Sequence, residues 1–586
     1  MGHFLKLVTS SCLGTILAFF AFFMILLVFS LGFTLLNAPD TSISKQSILH
    51  LKLNSSTPEL TNNVPNSPFS FDQTTAIGLN DLKRLIFEAS TDKNIAGFLI
   101  ETENTALLPT KAIEINRAIK TFKESGKFCY AYGDYFTQSG YLIASAADSV
   151  FLNPNGFIDM RGMGVEIPYY QGLAKKSKIS FDVYYAGKYK SAIEPYYRKE
   201  ISPENRYQTR EFLNDFINHM SSEIADNRSL DQETVLGALR NFETDNPESC
   251  LSLGLIDQVV YEDQLEDRLK EMTDSEDLNL VTLEEYFANS PNGSSSGKDR
   301  IAVVYAEGGI DQFGDTKGSI SVERYEEDLD RIRKNDKIKA VVLRVNSPGG
   351  SAFASDVLWD KIEKIKDEGK VVVASFGDYA ASGGYYIACG ADFIVSEPTT
   401  LTGSIGVFAM MPNFSGLFKE HLGVNYDTIS TGNHNFIYSS FTPKSEADNL
   451  KLQRNTERTY QKFLNRVAAG RSMDITQVDE VAQGRVWSGE DALQVGLVDS
   501  IGSLEEAILI AADLAEIDDY KTLQYPVIEQ SVYEELWTAV MSEASIKTKL
   551  KPENEHKLLH QIYKRLEPII QATETPQARL PIVLSQ

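Results

Sequence analysis

The chain has 586 residues, which is enough for two or more domains with hydrophobic cores of their own. Its formal net charge of −25 argues against a nucleic-acid partner, because phosphate backbones are bound by basic surfaces. Four cysteines are too few for a disulfide scaffold at this length. No cysteine and histidine cluster has metal-ligand spacing, so the sequence offers no candidate metal site of this kind.

The N-terminal region, residues 1–46, predicts a membrane anchor. No charged residue lies between Lys6 and Asp40, and the apolar run from Leu13 to Leu36 exceeds the roughly 20 residues that cross a bilayer. This run is also longer than the apolar part of an ordinary cleaved signal, although late cleavage remains the alternative. Lys6 favours an orientation with the bulk of the chain outside. We therefore expect contact with membrane lipid and domains on the periplasmic face.

Two stretches of the chain repeat each other. GDYFTQSGYLIASAAD, from Gly133 to Asp148, aligns without a gap with GDYAASGGYYIACGAD, from Gly377 to Asp392. In each copy an apolar run, an amphipathic helical segment and a second apolar run lead into this stretch. This order is typical of an α/β domain with parallel strands. The sequence therefore predicts a tandem duplication of one α/β domain.

The composition between the copies indicates the domain boundaries. Residues 289–297 are rich in serine, glycine and asparagine, as expected of a flexible linker. We therefore expect the first copy at 47–288 and the second at 298–514. Beyond 514 no repeat is recognisable, and residues 515–586 are predicted to form a C-terminal extension.

The two copies differ at positions that indicate catalysis. Gln138 of the first copy aligns with Ser382 of the second, and Lys190 in AGKYK aligns with Asn435 in TGNHN. One copy therefore has a lysine without the serine, and the other has the serine without the lysine. Because a serine hydroxyl needs a base within hydrogen-bonding reach to act as a nucleophile, this pattern predicts a Ser/Lys hydrolase whose site forms where the copies meet.

Glycines near Ser382 predict an oxyanion hole. Ser382 lies in YAASGGYY, where a strand-to-helix turn would expose its side chain and direct the N–H of Gly383 at a reacting carbonyl. We expect the second donor in NSPGGS, from Gly350 or its neighbour Gly349. The first copy has ETENTA opposite NSPGGS, so it lacks the glycines as well as the serine. A shared catalytic role explains this joint absence.

Lys190 has competitors for the role of base. The aromatic residues in FDVYYAGKYKSAIEPYY can desolvate an ammonium group and lower its pKa, which leaves a neutral amine to act as the base. The pattern barely separates Lys190 from Lys188, which would face the opposite side of an extended segment. His434, one residue from the position equivalent to Lys190, leaves open a Ser/His site within the second copy.

The motifs are similar to those of the signal peptide peptidase A family, in its long bacterial form with two repeats. The similarity rests on YKSAIEPY, SPGG, YAASGGYY and LTGSIGVF, on the duplication and on the N-terminal anchor. It implies the spiral ββα fold of the Clp protease and crotonase superfamily. It also implies Ser382 as nucleophile, Lys190 as general base, Ser404 as a hydroxyl that orients the lysine, and Gly350 and Gly383 as oxyanion-hole donors.

The resemblance further implies a reaction and a setting. The reaction is peptide-bond hydrolysis through an acyl-enzyme, without metal or cofactor, and the substrates are cleaved signal peptides. The setting is a homotetramer anchored in the bacterial inner membrane, with its catalytic domains in the periplasm. Two other functions remain open, a crotonase-like acyl-CoA enzyme and a non-catalytic membrane scaffold. The first gives no reason for the division of Ser382 and Lys190 between two copies.

Overall fold

The structure, a computed structural model, describes residues 43–53, 57–64, 75–290 and 297–528, the backbone of 577–579, and three single positions near the N-terminus. Most of the predicted anchor and most of the predicted extension lie outside the described residues. Within the described ranges, no helix is both long enough and apolar enough to cross a membrane.

The first half of the chain is built around a six-stranded sheet in which all neighbouring strands are parallel, in the order β8-β5-β3-β2-β1-β9. The strands of this half are β1 (Ser47–Lys52), β2 (Ile95–Glu101), β3 (Phe128–Gly133), β4 (Phe136–Thr137), β5 (Ser149–Leu152), β6 (Ile158–Asp159), β7 (Ser180–Ala186), β8 (Gln258–Val259) and β9 (Leu280–Thr282). Its helices are α1 (Leu79–Thr91), α2 (Pro109–Lys123), α3 (Gln138–Ala144), α4 (Gln171–Lys176), α5 (Glu194–Tyr197), α6 (Pro203–Arg228), α7 (Gln232–Asn241), α8 (Pro247–Ser252), α9 (Glu262–Thr273) and α10 (Leu283–Asn289).

The second half repeats this sheet in the order β17-β15-β13-β11-β10-β19, with β14 and then β18 extending from β13. Its strands are β10 (Asp299–Glu307), β11 (Ile338–Ser347), β12 (Gly349–Ser351), β13 (Val371–Ala381), β14 (Phe393–Ser396), β15 (Leu401–Gly403), β16 (Val407–Asn413), β17 (Val486–Ser488), β18 (Ser500–Ile501), β19 (Tyr520–Tyr525) and the separate β20 (Gln577–Arg579). Its helices are α11 (Val322–Lys334), α12 (Ala352–Asp367), α13 (Gly383–Ala388), α14 (Glu446–Arg471), α15 (Ile475–Val481), α16 (Gly489–Gln494) and α17 (Leu504–Leu514), with a π-helix at Leu417–His421.

Strand β11 illustrates why the apolar runs become buried strands. Val341, Leu343 and Val345 belong to one hydrophobic cluster, and Ala340 and Val342 belong to another. Alternate residues of a strand point to opposite faces, so both faces of the sheet are covered. A strand in this position requires a continuous apolar run, which is the pattern that predicted it.

Strand β19 lies past the predicted end of the second copy. It runs parallel to β10, as β9 runs parallel to β1 in the first half. In the repeat, β19 therefore corresponds to β9, and it ends at Tyr525, past the predicted boundary at 514. The sequence YKTLQY has too few apolar residues to mark a strand, because a sheet edge leaves part of the strand in solvent. The other predicted boundaries stay predictions.

One strand of the first half crosses to the second half. β7 pairs antiparallel with β16 along its whole length, with Ala186 opposite Val407. After β7 the chain turns at Gly187, and the N–H of Tyr189 donates to the carbonyl of Gln483 at 2.8 Å. This crossing carries the segment around Lys190 into the second half.

A buried charged cluster also joins the halves. Arg344 of β11 is fully buried and donates to Glu59 at 3.0 Å and to Glu114 at 2.5 Å. Burial alone would raise the pKa of Glu114, but Arg344 and Lys83 together lower this pKa to about 2. A buried charge without its partner is strongly destabilising, so these ion pairs hold the halves in one arrangement.

Candidate active site

Ser382 lies at a sharp turn between β13 and α13. Its backbone has φ 57° and ψ −114°, a conformation that costs a non-glycine residue about 1–3 kcal/mol. The N–H of Ser382 donates to the carbonyl of Gly403 at 2.8 Å, and this bond helps to hold the turn. The structure therefore has the strand-to-helix turn that the sequence predicts here.

Lys190 reaches Ser382 from the other half of the chain. Its Nζ lies 2.7 Å from Ser382 Oγ, 3.0 Å from Ser404 Oγ and 2.9 Å from the carbonyl oxygen of Ser404. The lysine is 2% exposed, and Ser382 is fully buried. Burial lowers the pKa of the Lys190 ammonium well below its usual value. The three residues that the resemblance assigns to nucleophile, base and orienting hydroxyl are thus in contact.

The two competing bases lie elsewhere. Lys188 is exposed, and its Nζ lies 5.2 Å from the centre of the Tyr189 ring. His434 Nδ1 contacts Asp448 Oδ1 at 2.6 Å. Neither contact involves Ser382, whose hydroxyl pairs with Lys190.

The loop that carries Lys190 rests against Gly484. A Cβ at Gly484 would lie 2.7 Å from both the backbone N and the Cβ of Lys190, so any larger residue would displace the lysine. The φ of +76° also favours glycine at this position. Sequence reasoning missed this residue because a lone glycine, far from Lys190 along the chain, carries no pattern.

Gln208 of α6 also supports this loop. Its Nε2 donates to the carbonyl of Tyr189 at 3.2 Å and to Ser191 Oγ at 3.1 Å. Its Oε1 accepts from the N–H of Val486 at 3.1 Å, so one buried amide connects both sides of Lys190 to the second half. A single glutamine in a long helix gives no signal of this role in the sequence.

Gly350 and Gly383 lie side by side. A Cβ built on Gly383 would be 3.1 Å from the backbone N of Gly350 and 2.6 Å from Ser355 Oγ. A Cβ on Gly350 would be 2.0 Å from the carbonyl oxygen of Ile310, a distance that no real contact allows. Both glycines are therefore required by close packing.

The hydrogen bonds distinguish Gly350 from Gly349. The Gly349 carbonyl and the Ser351 N–H both bond to Ile310, so strand alternation turns the N–H of Gly350 to the opposite side. The N–H of Gly349 donates instead to Ser347 Oγ at 3.2 Å. Gly350 is thus the glycine of this pair whose N–H faces away from Ile310 and lies beside Gly383.

An extended segment of the chain itself lies beside Gly350. Strand β20 runs antiparallel to β12, with Ala578 opposite Gly350, and Gln577 pairs with Phe408 of β16. We call the space between β12 and β16 the strand slot. Main-chain pairing of this kind is how sheet edges bind extended peptides.

Comparisons with known proteins identify the family. The pattern of peptidase family S49 matches residues 121–276 and 364–518, and the Clp protease pattern matches residues 303–395. One S49 match falls in each half, which confirms the predicted duplication of a Clp-like α/β domain.

Three relatives resemble the chain over most of its length. Protease 4 of Haemophilus influenzae is 34% identical over 451 residues, which cover 74% of this chain and 72% of that protein. Protease 4 of Salmonella typhi is 32% identical over 77% of this chain and 74% of its own length. The chloroplastic serine protease SPPA of Arabidopsis thaliana is 34% identical over 75% of this chain and 66% of its own length. These findings confirm the resemblance drawn from the motifs and set aside the acyl-CoA enzyme and the scaffold. The chain therefore belongs to peptidase family S49 and is a serine peptidase.

Proposed function

We propose that this peptidase cleaves peptide bonds with Ser382 as nucleophile and Lys190 as general base. The 2.7 Å contact between Lys190 Nζ and Ser382 Oγ, in a buried site, carries the proposal. A neutral lysine amine has one lone pair and two N–H groups. The lone pair accepts from the Ser382 hydroxyl, and the N–H groups donate to the two oxygens of Ser404. All three contacts are satisfied in the uncharged state that a general base requires.

The same geometry supports a full catalytic cycle. Ser382 Oγ attacks the carbonyl carbon of the substrate while Lys190 takes its proton. The N–H groups of Gly350 and Gly383 stabilise the resulting oxyanion. Lys190 then returns the proton to the leaving amine, which yields the acyl-enzyme. In the second stage, a water molecule attacks the acyl carbonyl while Lys190 takes its proton. Lys190 then returns this proton to Ser382 Oγ as the acid leaves, which regenerates the free serine.

We expect the substrate peptide to bind in extended form in the strand slot. The antiparallel pairing of β20 supports this pose, because β20 pairs as a strand with Gly349–Ser351 on one wall of the slot and with Phe408 on the other. The motif resemblance makes cleaved signal peptides the substrate class. The uncharged apolar segment at 13–36 supports an anchor in the inner membrane, with the site on the periplasmic face where exported proteins leave these peptides.

Two segments that form no strand within the chain support assembly into a homotetramer. In the register of the repeat, residues 425–431 stand where β7 stands in the first half, and residues 163–169 stand where β16 stands in the second. Residues 425–431 are exposed, with Ile429 at 95%. Because β7 pairs with β16 within one chain, residues 425–431 of one copy can pair in the same way with residues 163–169 of the next. A closed ring of four copies is the assembly that the family resemblance implies.

A fluorophosphonate probe tests the catalytic assignment directly. We expect it to label Ser382 in the full chain, as identified by mass spectrometry of the labelled peptide. We also expect the Ser139→Ala variant to be labelled and to hydrolyse an internally quenched signal peptide, whereas Ser382→Ala should do neither. Labelling at Ser139, or hydrolysis by Ser382→Ala, would overturn the assignment.

A further inference from the structure

The first half has a cavity at the positions that correspond to the strand slot. Its volume is about 550 Å³. Residues 104–106 line one side of the cavity, and residues 161–164 line the other. Gln138, which lies between these two segments in the sequence, also lines the cavity. The aligned motifs put residues 104–106 opposite Gly349–Ser351 and Gln138 opposite Ser382.

The strand pairings fix this register in three dimensions. Phe136 pairs with Ile158 in the first half, and Ala380 pairs with Thr402 in the second. A shift of 244 residues carries the first pair onto the second. The same shift carries residues 163–164 onto Val407 and Phe408, which border the strand slot on the β16 side.

The cavity lacks the groups that cleave a peptide. Gln138 stands at the position of Ser382, and its Oε1 accepts from the N–H of Gly162 at 3.1 Å. Met160 stands at the position of Ser404 and is fully buried. Neither an amide nor a thioether acts as a nucleophile or a general base toward a peptide bond. The site is therefore suited to binding without hydrolysis.

The lining of the cavity favours an uncharged ligand. Its charged side chains are Asp159 and Arg161, and these pair with each other at 2.5 Å. Much of the remaining lining is apolar, namely Ala106, Leu108, Met163 and Leu213. An apolar peptide buries carbon surface here without stripping water from an unpaired charge.

The walls also offer main-chain groups. Within the described residues, neither wall forms a strand at Ala106, Met163 or Gly164, and their N–H and C=O groups make no backbone hydrogen bond. In the second half, Ser351 stands at the position of Ala106 and Phe408 at the position of Gly164, and both of these residues pair with β20. An extended peptide can satisfy such groups as an added strand.

We propose that this cavity is a second peptide site, which holds an extended, uncharged apolar segment of a peptide without cleaving it. The inference rests on the proposed function for its ligand class, because peptides are the molecules that reach a peptidase. It adds to that function a second role, in which the strand slot cleaves the peptide and the first-half cavity binds a segment of it.

The test uses the full chain with Ser382→Ala, so that the probe is not consumed. The probe is a leucine- and alanine-rich decapeptide that carries a photoreactive benzophenone, and cross-links are mapped by mass spectrometry. We expect cross-links within 104–108 and 161–164 as well as at the strand slot. Adding Gly164→Trp should lower first-half labelling at least about tenfold, equivalent to about 1.4 kcal/mol of binding free energy.

Gly172→Trp is the matched control. A Cβ at Gly164 or at Gly172 meets no atom within 4 Å, so both substitutions have room, but Gly172 lies outside the cavity lining. Gly172→Trp should therefore leave labelling unchanged. Ala106→Glu, which introduces a charge at an exposed position of the wall, gives an independent test and should also reduce labelling.

The outcomes separate this inference from the catalytic proposal. Cross-links confined to the second half, or first-half labelling that survives both Gly164→Trp and Ala106→Glu, would overturn the second site even if the chain with Ser382 hydrolyses peptides. Conversely, first-half labelling that both substitutions abolish would support the site even if no hydrolysis is detected.

Discussion

The two halves have the same sheet, yet residues with side chains in the first half stand at the positions of Gly350 and Gly383 in the second. In the first half, the hydroxyls of Thr137 and Ser139 donate to the carbonyl of Thr105 at 2.6 and 3.1 Å. In the second half, Gly350 and Gly383 occupy the positions of Thr105 and Ser139, and their backbones approach closely without side chains between them. A few side chains thus distinguish the copy to which we assign the oxyanion hole, while the fold stays the same.

The halves also divide the proposed reacting groups. The second half has Ser382 and both glycines, but the lysine that contacts the serine arrives from the first half on the segment after β7. In the proposed mechanism, activity therefore depends on the contact between the halves as much as on either half. The following predictions test how far this dependence goes.

The largest effect should follow from removing the lysine. Lys190→Arg should lower kcat/KM by at least about 10³-fold, because a guanidinium stays protonated and cannot take the Ser382 proton. Hydrolysis of a quenched signal peptide measures the loss. His434→Gln is the control and should be nearly silent, because His434 pairs with Asp448. If Lys190→Arg were active and His434→Gln inactive, the general base would have to be His434 of the second half.

Removing Arg344 from the buried cluster that joins the halves should have the next largest effect, here on the free energy of unfolding. Arg344→Met removes the buried cation that Glu59 and Glu114 share, and loss of one member of a buried ion pair costs about 3–5 kcal/mol. Denaturant unfolding of the full chain measures the change. Arg331→Met, at an exposed pair with Glu327, should cost less than about 1 kcal/mol. Equal costs for the two variants would remove the special role of the buried cluster.

Adding a side chain at Gly350, where the first half has Thr105, should impair catalysis. Gly350→Ala should lower kcat by about 10²–10³-fold with little change in KM, because its Cβ would meet the Ile310 carbonyl and shift the N–H that we propose to act on the transition state. Gly309→Ala, where a Cβ meets no atom within 4 Å, should retain activity. A Gly350→Ala enzyme with unchanged kcat would leave this glycine with a packing role alone.

Displacing Lys190 slightly from Ser382 should produce a smaller loss of activity. Gly484→Ala should lower kcat about tenfold, because its Cβ would push against the backbone of Lys190 and move Nζ from Ser382. The pH profile separates this positioning role from general destabilisation. A shifted apparent pKa in kcat/KM indicates a displaced amine, whereas an unchanged profile with a lower melting temperature indicates a structural effect alone.

The pH dependence gives the finest comparison. Burial lowers the pKa of Lys190, and the base form is the deprotonated amine. We therefore expect kcat/KM to rise with pH through a pKa below 10.5, the usual value for lysine, and then to level. A profile that falls over this range would require an acid in place of a base.

The sequence predicts the parts of the site that the repeat exposes. The GDY stretches align without a gap, so the loss of serine at Gln138 and the turn at Ser382 can be recognised from the order of residues alone. The crossing of β7 into the second half cannot be recognised from the sequence, because its pairing with β16 joins distant segments and no local pattern encodes their register. Gly484 and Gln208 escape notice for the same reason. Their roles come from contacts across the halves.

The burial of Lys190 also has a thermodynamic consequence for folding. In the unfolded chain this lysine binds a proton below about pH 10.5, whereas in the folded chain its pKa is much lower. Folding therefore releases a proton, and stability falls as the pH drops from about 10.5 toward the folded pKa, below which this contribution is constant. Lys190→Met has no such penalty, so it should melt at a higher temperature than Ser382→Ala at neutral pH, with a gap that narrows in alkaline buffer. The buried amine that we propose as the base thus lowers the stability of the native state at neutral pH.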